Sequence, residues 1–431
     1  MIVTLTLNPS LDRTIEIAAL DRGAVIRAAA ARLDPGGKGV NVSRALLANA
    51  VASRAVVPFG GDEGRQLVHL LRQEGLDMVT VPVTGRTRSN VTLAEPDGTV
   101  TKINEPGTAL SPAELDTIAE SVLAEAREAD WVVASGSLPP EVPEDVYARL
   151  CRRFAGAGIH VAVDTSGPAL AAALGGGPAL VKPNLEELAT ATGMAITCVG
   201  DVVAAAAKLR AAGARTVLAS LGADGAVLVE DGGTWYGEAP VAEPRNAVGA
   251  GDAMLAGFLA GGGRGADALV EALAWGAAAV GLPGSRMPGP SDIRRDAVRV
   301  SRPDPARLLT SPYPRTSAQA PSTNDHPSPP AATPALSTGH RPDAPLSPTP
   351  ATAARPADTP RLGPDASAAS GAAGLTPEER GAVSGAGTPH EDGTPPVLGI
   401  RSRPAEQAGA DPSGPVPPAT GAERHPPPSP R

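Results

Sequence analysis

The sequence contains the glycine-rich stretch NAVGAGDAM at positions 246–254, which runs directly into an apolar, helix-prone segment. Glycine leaves backbone N–H groups open to close approach by an anion, and a helix N-terminus favours negative charge. We therefore predict an anion hole formed by Gly249, Ala250 and Gly251. Beside it, Asp252 is a candidate general base that removes a proton from an attacking hydroxyl group. The alternative is a glycine turn in which Asp252 only caps the helix.

Composition divides the chain of 431 residues into two unequal parts. No Phe, Trp, Tyr, Cys, Met or Lys follows Tyr313, and Pro, Ala, Ser, Thr and Gly dominate from there on. Such a composition supplies too little apolar surface to offset the entropy lost on ordering. We predict a folded domain over residues 1–310 and a disordered Pro/Ala/Ser/Gly-rich tail over residues 311–431.

Charge, histidine and cysteine usage exclude several classes of function. The net charge of −9 disfavours nucleic-acid binding, and no apolar run is long enough for a membrane span. The N-terminus lacks a basic leader, so a cytoplasmic location is expected. The cysteines Cys151 and Cys198 have no metal or redox spacing. Since only His69 and His160 precede the predicted tail, histidine-based hydrolase and metal sites are also disfavoured.

Helical and strand patterns alternate along most of the folded part, which is the βαβ rhythm of a parallel sheet. Polar residues follow the ends of several predicted strands, where an open parallel sheet binds its ligands. Asp12, in the predicted loop after the first strand, is a candidate ligand for sugar hydroxyls. An ordinary turn residue is the equal alternative.

A second glycine loop, at positions 34–39, leads into a predicted helix. Its spacing is not that of a Walker A loop. Glycines on both sides of Lys38, with Asn41 shortly after, suit close approach to a polyhydroxylated or phosphorylated ligand. We prefer this interpretation to a plain turn.

Two strand-like segments on either side of a Pro-Asp-Gly turn interrupt the α/β rhythm and predict a hairpin. With part of the N-terminal region, the hairpin is predicted to form a small sheet from about residues 12–18 and 86–106. Such a sheet can act as a lid that excludes water from the site. Arg88, Asn90 and Lys102 would lie under it, although residues of this kind on a hairpin are usually solvated surface.

Two further segments suit a nucleotide and its metal. Asn184 and Glu187 lie three residues apart on one helical face, a spacing that can hold hydrated Mg²⁺, although helix capping explains the same pair. An open turn that contains Ser220, Gly222 and Gly225 follows an apolar strand and can receive a nucleotide.

Several motifs in this order resemble those of the ribokinase-like (PfkB-type) carbohydrate kinases, and most closely the 1-phosphofructokinase branch. The motifs are GGKGVN at 36–41, TKINEPG at 101–107, SGSLPP at 135–140, KPNLEEL at 182–188 and VGAGD at 248–252. The resemblance covers residues 1 to about 308. It implies an α/β, three-layer sandwich with a central, mainly parallel sheet and a small β-sheet lid that often helps to form a homodimer.

The resemblance also implies a reaction, in which MgATP phosphorylates D-fructose 1-phosphate at its C6 hydroxyl and gives fructose 1,6-bisphosphate and ADP. Asp252 is then the catalytic base beside the anion hole. Sugar-phosphate contacts are implied for Asp12, Gly37, Lys38, Asn41, Arg88, Asn90, Lys102 and Ser137. Nucleotide contacts are implied for Lys182, Asn184, Ser220, Gly222, Gly225, Gly249 and Gly251, and metal contacts through water for Asn184 and Glu187.

Three alternatives remain open from the sequence. The first is a different substrate within the same family, tagatose 6-phosphate or fructose 6-phosphate. A sugar-phosphate-binding regulator that has lost catalysis is a second alternative, and a scaffold that works through its Pro-rich tail is a third.

Overall fold

The computed structural model describes residues 1–245 and 247–313. Within them the strands are β1 (Ile2–Thr6), β2 (Ser10–Glu16), β3 (Ala30–Gly36), β4 (Ser53–Phe59), β5 (Met78–Pro82), β6 (Arg88–Ala94), β7 (Val100–Asn104), β8 (Trp131–Ser135), β9 (His160–Asp164), β10 (Leu180–Val181), β11 (Ile196–Cys198), β12 (Thr216–Ser220), β13 (Ala226–Glu230), β14 (Gly233–Glu238), β15 (Arg299–Ser301) and β16 (Leu308–Tyr313). The helices are α1 (Lys38–Ala48), α2 (Gly61–Gln73), α3 (Pro112–Glu125), α4 (Val146–Ala155), α5 (Gly167–Leu174), α6 (Leu185–Thr192), α7 (Val199–Ala211), α8 (Ala250–Ala260) and α9 (Gly265–Val280).

The described residues form a central sheet with the strand order β15-β14-β13-β12-β10-β9-β8-β1-β4-β5. Neighbours from β12 to β5 run parallel, whereas β13, β14 and β15 add an antiparallel edge. All five residues of β1 are buried, as expected for a strand that helices cover on both faces. The prediction of a mainly parallel sheet is confirmed.

Helices cover both faces of this sheet. Tyr147 and Phe154 of α4 are fully buried in one core, to which α3, α5, α6 and α7 also contribute. Leu255 of α8 and Trp275 of α9 belong to the core on the opposite face, where α1 packs. The arrangement is the predicted three-layer sandwich. Among the described residues, no helix is both long enough and apolar enough to cross a membrane.

A second sheet, with the strand order β3-β2-β6-β7, corresponds to the predicted lid. The hairpin of β6 and β7 is antiparallel as predicted, and β2 pairs with β6 in parallel. One prediction was wrong, because Asp12 lies within β2 and not in a loop. It pairs with Asp34 of β3 on one side and with Asn90 of β6 on the other, and neither pairing is visible in the local sequence.

The last described strand corrects the predicted domain boundary. β16 pairs antiparallel with β11 through Ile196 and Tyr313, so the strand continues past residue 310. The folded part therefore includes residues 311–313, which the composition had assigned to the tail. The rest of the predicted tail, residues 314–431, lies outside the described residues.

The position of β16 leads to a prediction about truncated chains. We expect a chain that ends after Tyr313 to unfold at the same temperature as the full chain, because the composition beyond that residue predicts no packed core. A chain that ends after Thr310 loses half of β16 and should unfold at a lower temperature, by about 2 °C for each kcal/mol lost. Thermal unfolding followed by circular dichroism measures both, and equal midpoints for the two truncated chains would contradict the boundary.

Candidate active site

Five neighbouring parallel strands end in polar residues at one edge of the central sheet. In their spatial order, β12, β10, β9, β8 and β1 are followed or ended by Ser220, Lys182, Asp164, Ser135 and Asn8. Because the carboxyl ends of parallel strands share an edge, this topology collects groups that are far apart in the sequence.

The predicted anion hole is the N-terminus of α8. Gly249 caps this helix with φ 79° and ψ −6°, a left-handed conformation that suits glycine. A Cβ atom at this position would also lie 2.9 Å from Cε of Met287. The first N–H groups of the helix have no acceptor within it, and the helix dipole adds positive potential there. Asp252 lies in this first turn and is 7 % exposed.

The N-terminal part of α1 brings Asn41 to Asp252. Nδ2 of Asn41 donates a hydrogen bond of 2.9 Å to Oδ2 of Asp252. This approach requires α1 to pack closely against β1, and a Cβ atom on Gly39 would lie 2.5 Å from Oγ1 of Thr6. Asn41, predicted as a sugar contact, is therefore also a partner of the candidate base.

A buried cluster of charges lies beside this pair. Asp164 has a fully buried side chain, and its two oxygens lie 2.7 Å from Nζ of Lys38 and 3.1 Å from Nζ of Lys182. Burial favours the neutral form of Asp164, but Lys182 and Lys38 outweigh it and keep the pKa of this carboxyl below its ordinary value. Burial likewise opposes the charge of Lys38, yet Asp164 and Glu187 hold its pKa above the ordinary value.

The environment of Asp252 makes its carboxylate more basic than an ordinary one. Burial and the neighbouring charge of Asp164 raise the pKa of Asp252 to about 6, against the opposing effects of Lys38, Asn41 and Lys182. A carboxylate with a pKa near the working pH accepts a proton with a larger driving force than an ordinary one and is still ionised.

A cavity of about 1050 Å³ joins the candidate base to the predicted nucleotide residues. Residues from both predicted groups line it, together with Asp164: Lys38, Lys102, Lys182, Asn184, Glu187, Ser220, Gly222, Gly225, Gly249, Ala250, Gly251 and Asp252. Lys38 and Lys102, predicted as contacts of the sugar phosphate, therefore lie with the nucleotide residues.

The other predicted sugar residues form a separate polar group between the lid and the sheet. Nδ2 of Asn90 donates to Oδ1 of Asp12 at 2.8 Å. Arg88 donates to the carbonyl of Asn8 at 3.0 Å, and the Asn8 amide donates to Oγ of Ser137 at 3.3 Å. Among the described residues, the buried Nε of Arg88 and Oδ1 of Asn90 have no hydrogen-bond partner, as expected for groups that bind a polar ligand. Gly37 lies at the N-cap of α1.

The predicted metal pair also caps helix α6. Asn184 accepts from the backbone N–H of Glu187 at 2.8 Å, and Glu187 accepts from that of Asn184 at 2.9 Å. This capping box uses one oxygen of each side chain. The second oxygen of Glu187, Oε1, lies 3.7 Å from Nζ of Lys38, and both residues line the cavity.

Sequence reasoning gave no role to three residues that organise this site. Asp164 ends the apolar strand HVAVD and is one of the polar residues predicted at strand ends, but the sequence did not single it out as a site residue. Asn8 follows β1 in the same way and links Arg88 to Ser137. The third is Arg44, whose Nη1 lies 3.5 Å from Oδ1 of Asn41 and whose other nitrogens bind Glu74 at 2.7 and 2.8 Å.

Most of the described residues match a known protein family. The model of the pfkB family carbohydrate kinases matches residues 5–290. The chain belongs to the pfkB family of carbohydrate kinases. It is therefore a phosphotransferase that uses a hydroxyl group as acceptor.

Individual relatives agree with this membership. The chain is 39 % identical over 300 residues to 1-phosphofructokinase of Rhodobacter capsulatus, covering 68 % of this chain and 94 % of the relative. It is similar to a crystal structure of phosphofructokinase-2 from Escherichia coli, with a TM-score of 0.63, 34 % identity, and coverage of 68 % of this chain and 96 % of that one. The same enzyme in complex with fructose 6-phosphate gives a TM-score of 0.62, 33 % identity and the same coverage.

The buried charges predict the pH dependence of this kinase. A general base at Asp252 must be deprotonated to accept a proton. If Asp252 has this role, kcat/KM for the sugar should fall about tenfold per pH unit below the pKa of Asp252, about 6, and be level above it. Asp164→Asn removes the negative charge beside Asp252. The positive charges of Lys38 and Lys182 then dominate, so the pKa of Asp252 falls. The acidic limb should then move to lower pH while kcat also falls. A pH series of kcat/KM measures this, and a limb that moves to higher pH would contradict it.

Proposed function

We propose that this kinase transfers the γ-phosphoryl group of ATP to the C6 hydroxyl of D-fructose 1-phosphate and releases fructose 1,6-bisphosphate and ADP. One observation carries the chemistry: the buried carboxylate of Asp252 lies at the N-terminus of α8, bonded to Asn41, in one cavity with the predicted nucleotide residues. The substrate is supported by the 1-phosphofructokinase that is 39 % identical to this chain.

In this proposal the protein supplies positioning, proton removal and charge stabilisation. Asp252 takes the proton of the attacking C6 hydroxyl. The N–H groups in the first turn of α8, which have no acceptor within the helix, stabilise the charge on the phosphoryl group in transfer. Lys182 lies over this helix end, because a Cβ atom on Gly251 would be 3.2 Å from its Nζ. Lys182 and Lys38 therefore add positive charge where phosphate oxygens are expected.

The cavity residues fit a hydrated Mg²⁺ that accompanies ATP. Among the described residues there is no cluster of three or more His, Cys, Asp or Glu that could form a complete metal cage. Mg²⁺ does not need one, since it keeps several waters and binds through one or two carboxylates and the phosphates. We assign Glu187, through the oxygen Oε1 that the capping box does not use, and Asn184 as its contacts through water. When bound, the ion neutralises charge on the phosphate oxygens.

The phosphate of the sugar is assigned to the second polar group. Arg88 is the cation there, with Ser137 beside it, and burial lowers the pKa of Arg88. Asp12 and Asn90 on the lid are assigned to the sugar hydroxyls, with Asn41 and the backbone of Gly37. Lys102, which lines the nucleotide cavity from β7, closes the site from the lid side.

The lid also supports the assignment of a homodimer. Register places Asn104, Asn90, Asp12 and Asp34 on one face of this sheet, and Ile103, Val91, Arg13 and Leu33 on the other. The next row of that second face is Thr101, Leu93, Ile15 and Ala31. This face is largely apolar, and Ile103 is 57 % exposed. We propose that a second copy of the chain covers it.

A coupled assay of ADP release tests the function. Purified protein with MgATP is compared on fructose 1-phosphate, fructose 6-phosphate and tagatose 6-phosphate by kcat/KM. We expect a clear preference for fructose 1-phosphate. A preference for another sugar phosphate would replace the substrate, and no turnover on any of them would favour the regulator. Asp252→Asn is the control, and it should lose turnover by about 10²- to 10⁴-fold while it retains ATP binding.

Substitution of Arg88 should change KM for the sugar phosphate and KM for ATP differently. Arg88→Ala removes a charged contact worth about 1.5–3 kcal/mol, so KM for the sugar phosphate should rise about tenfold or more. KM for ATP should stay the same. The matched control is Arg86→Ala, which removes a 55 % exposed arginine bound to Glu63 and Glu105. If Arg88→Ala raises only KM for ATP, the two sites are reversed.

The apolar face of the lid predicts the effect of one charge on assembly. Ile103→Lys places a cation in the proposed interface, so the protein should become monomeric. Val100→Lys is the matched control, because Val100 lies on the opposite face of the same strand. Size-exclusion chromatography with light scattering measures the mass of each variant. A wild-type monomer, or an Ile103→Lys dimer, would contradict the interface.

A further inference from the structure

The nucleotide cavity is bounded by a short turn, Gly222–Asp224, that connects β12 to β13. Gly222, Ala223 and Gly225 line the cavity, so the backbone of this turn faces the proposed ATP site. The side chain of Asp224 points elsewhere and is buried, with 5 % exposure. A buried carboxylate requires hydrogen-bond donors, and those of Asp224 come from a distant part of the chain.

The donors of Asp224 belong to the last described strand. Oδ2 of Asp224 accepts from the backbone N–H of Thr310 at 2.9 Å and from its hydroxyl at 2.8 Å. The carbonyl of Asp224 accepts from the hydroxyl of Tyr236 at 2.9 Å. Both the side chain and the backbone of this residue are therefore fixed from outside the turn.

The strand that supplies Thr310 is itself anchored. Arg307, just before β16, forms an ion pair of 2.8 Å with Glu238 and lies 4.8 Å from the ring centre of Tyr236. The carbonyl of Arg307 accepts from the N–H of Val199 at 2.9 Å. Pairing with β11 and the burial of Leu309 complete the attachment. These contacts hold Thr310 in a fixed position, from which it bonds to Asp224.

We propose that Asp224 is a positioning residue of the nucleotide site and that Thr310 holds it in place. The inference rests on the proposed ATP-dependent function. It assigns a role to β16, which lies beyond the residues 5–290 that match the family. Loss of the Asp224–Thr310 bonds frees the turn on its outer side, and the backbone groups that face the nucleotide lose their fixed positions. The affinity for ATP falls, whereas the sugar phosphate, bound by the lid group around Arg88, is unaffected.

Steady-state kinetics of full-length variants test this role. Asp224→Ala removes both side-chain bonds and should raise KM for ATP about tenfold, which corresponds to about 1.4 kcal/mol. Thr310→Val removes only the hydroxyl and should have a smaller effect in the same direction. Thr310→Ser keeps the hydroxyl and should return most of the lost ATP affinity. KM for the sugar phosphate should not change in any of them.

The chain offers a matched control for the same chemistry. Ser111 donates to Oε2 of Glu114 from its backbone N–H at 2.8 Å and from its hydroxyl at 2.7 Å, at the start of α3 and away from both the nucleotide turn and β16. Glu114→Ala and Ser111→Ala should leave KM for ATP unchanged. Equal effects at the two sites, or a loss of kcat and thermal stability with KM for ATP unchanged in Asp224→Ala, would overturn the proposal.

Calorimetric titration with MgATP separates this proposal from the proposed reaction. If the wild-type protein turns over no sugar phosphate, the proposed function fails, and the Kd for MgATP still reports the role of Asp224. A weaker Kd in Asp224→Ala and Thr310→Val, with normal values in the two controls, supports the positioning role. An unchanged Kd in both variants would overturn it.

Discussion

The arrangement of the active site depends on one buried carboxylate, Asp164, and the two lysines that it holds. A fully buried charge is costly unless it is paired, so Asp164 fixes the ammonium groups of Lys38 and Lys182 within the cavity. Those two cations are then available to phosphate oxygens at the end of α8. Asp164 also raises the pKa of Asp252 through like charge. One side chain thus positions the two lysines and raises the basicity of the proposed base.

Sheet topology explains how such a cluster forms from distant segments. Lys38 begins α1, Asp164 ends β9 and Lys182 directly follows β10, and the parallel order of the strands brings their ends to one edge. The lid depends on a different constraint. Because side chains alternate along a strand, one register gives this sheet a polar face with Asp12 and an apolar face with Ile103. The same strands therefore serve two surfaces of different chemistry.

The sequence predicts those features that depend on residues close together in the chain. The glycine stretch with Asp252, the capping box of Asn184 and Glu187, and the hairpin of the lid all follow from residues within a few positions of one another. The sequence did not predict features that depend on contacts between residues far apart in the chain. The strand conformation of Asp12 depends on pairing with β3 and β6, and the grouping of Lys38 with the nucleotide residues depends on Asp164, which lies 126 residues away. No local pattern contains either fact.

The end of the folded part shows the same limit. Composition changes near Tyr313, but a boundary drawn at residue 310 divides β16, because a strand that ends in Ser-Pro-Tyr resembles the segment that follows it. What fixes the strand is its contacts: Leu309 enters the core and Thr310 bonds to a buried carboxylate next to the nucleotide cavity. A segment beyond the family match thereby supports a turn that lies within it. The limits of a catalytic domain are therefore better drawn from the bonds that hold its site than from the extent of its motifs.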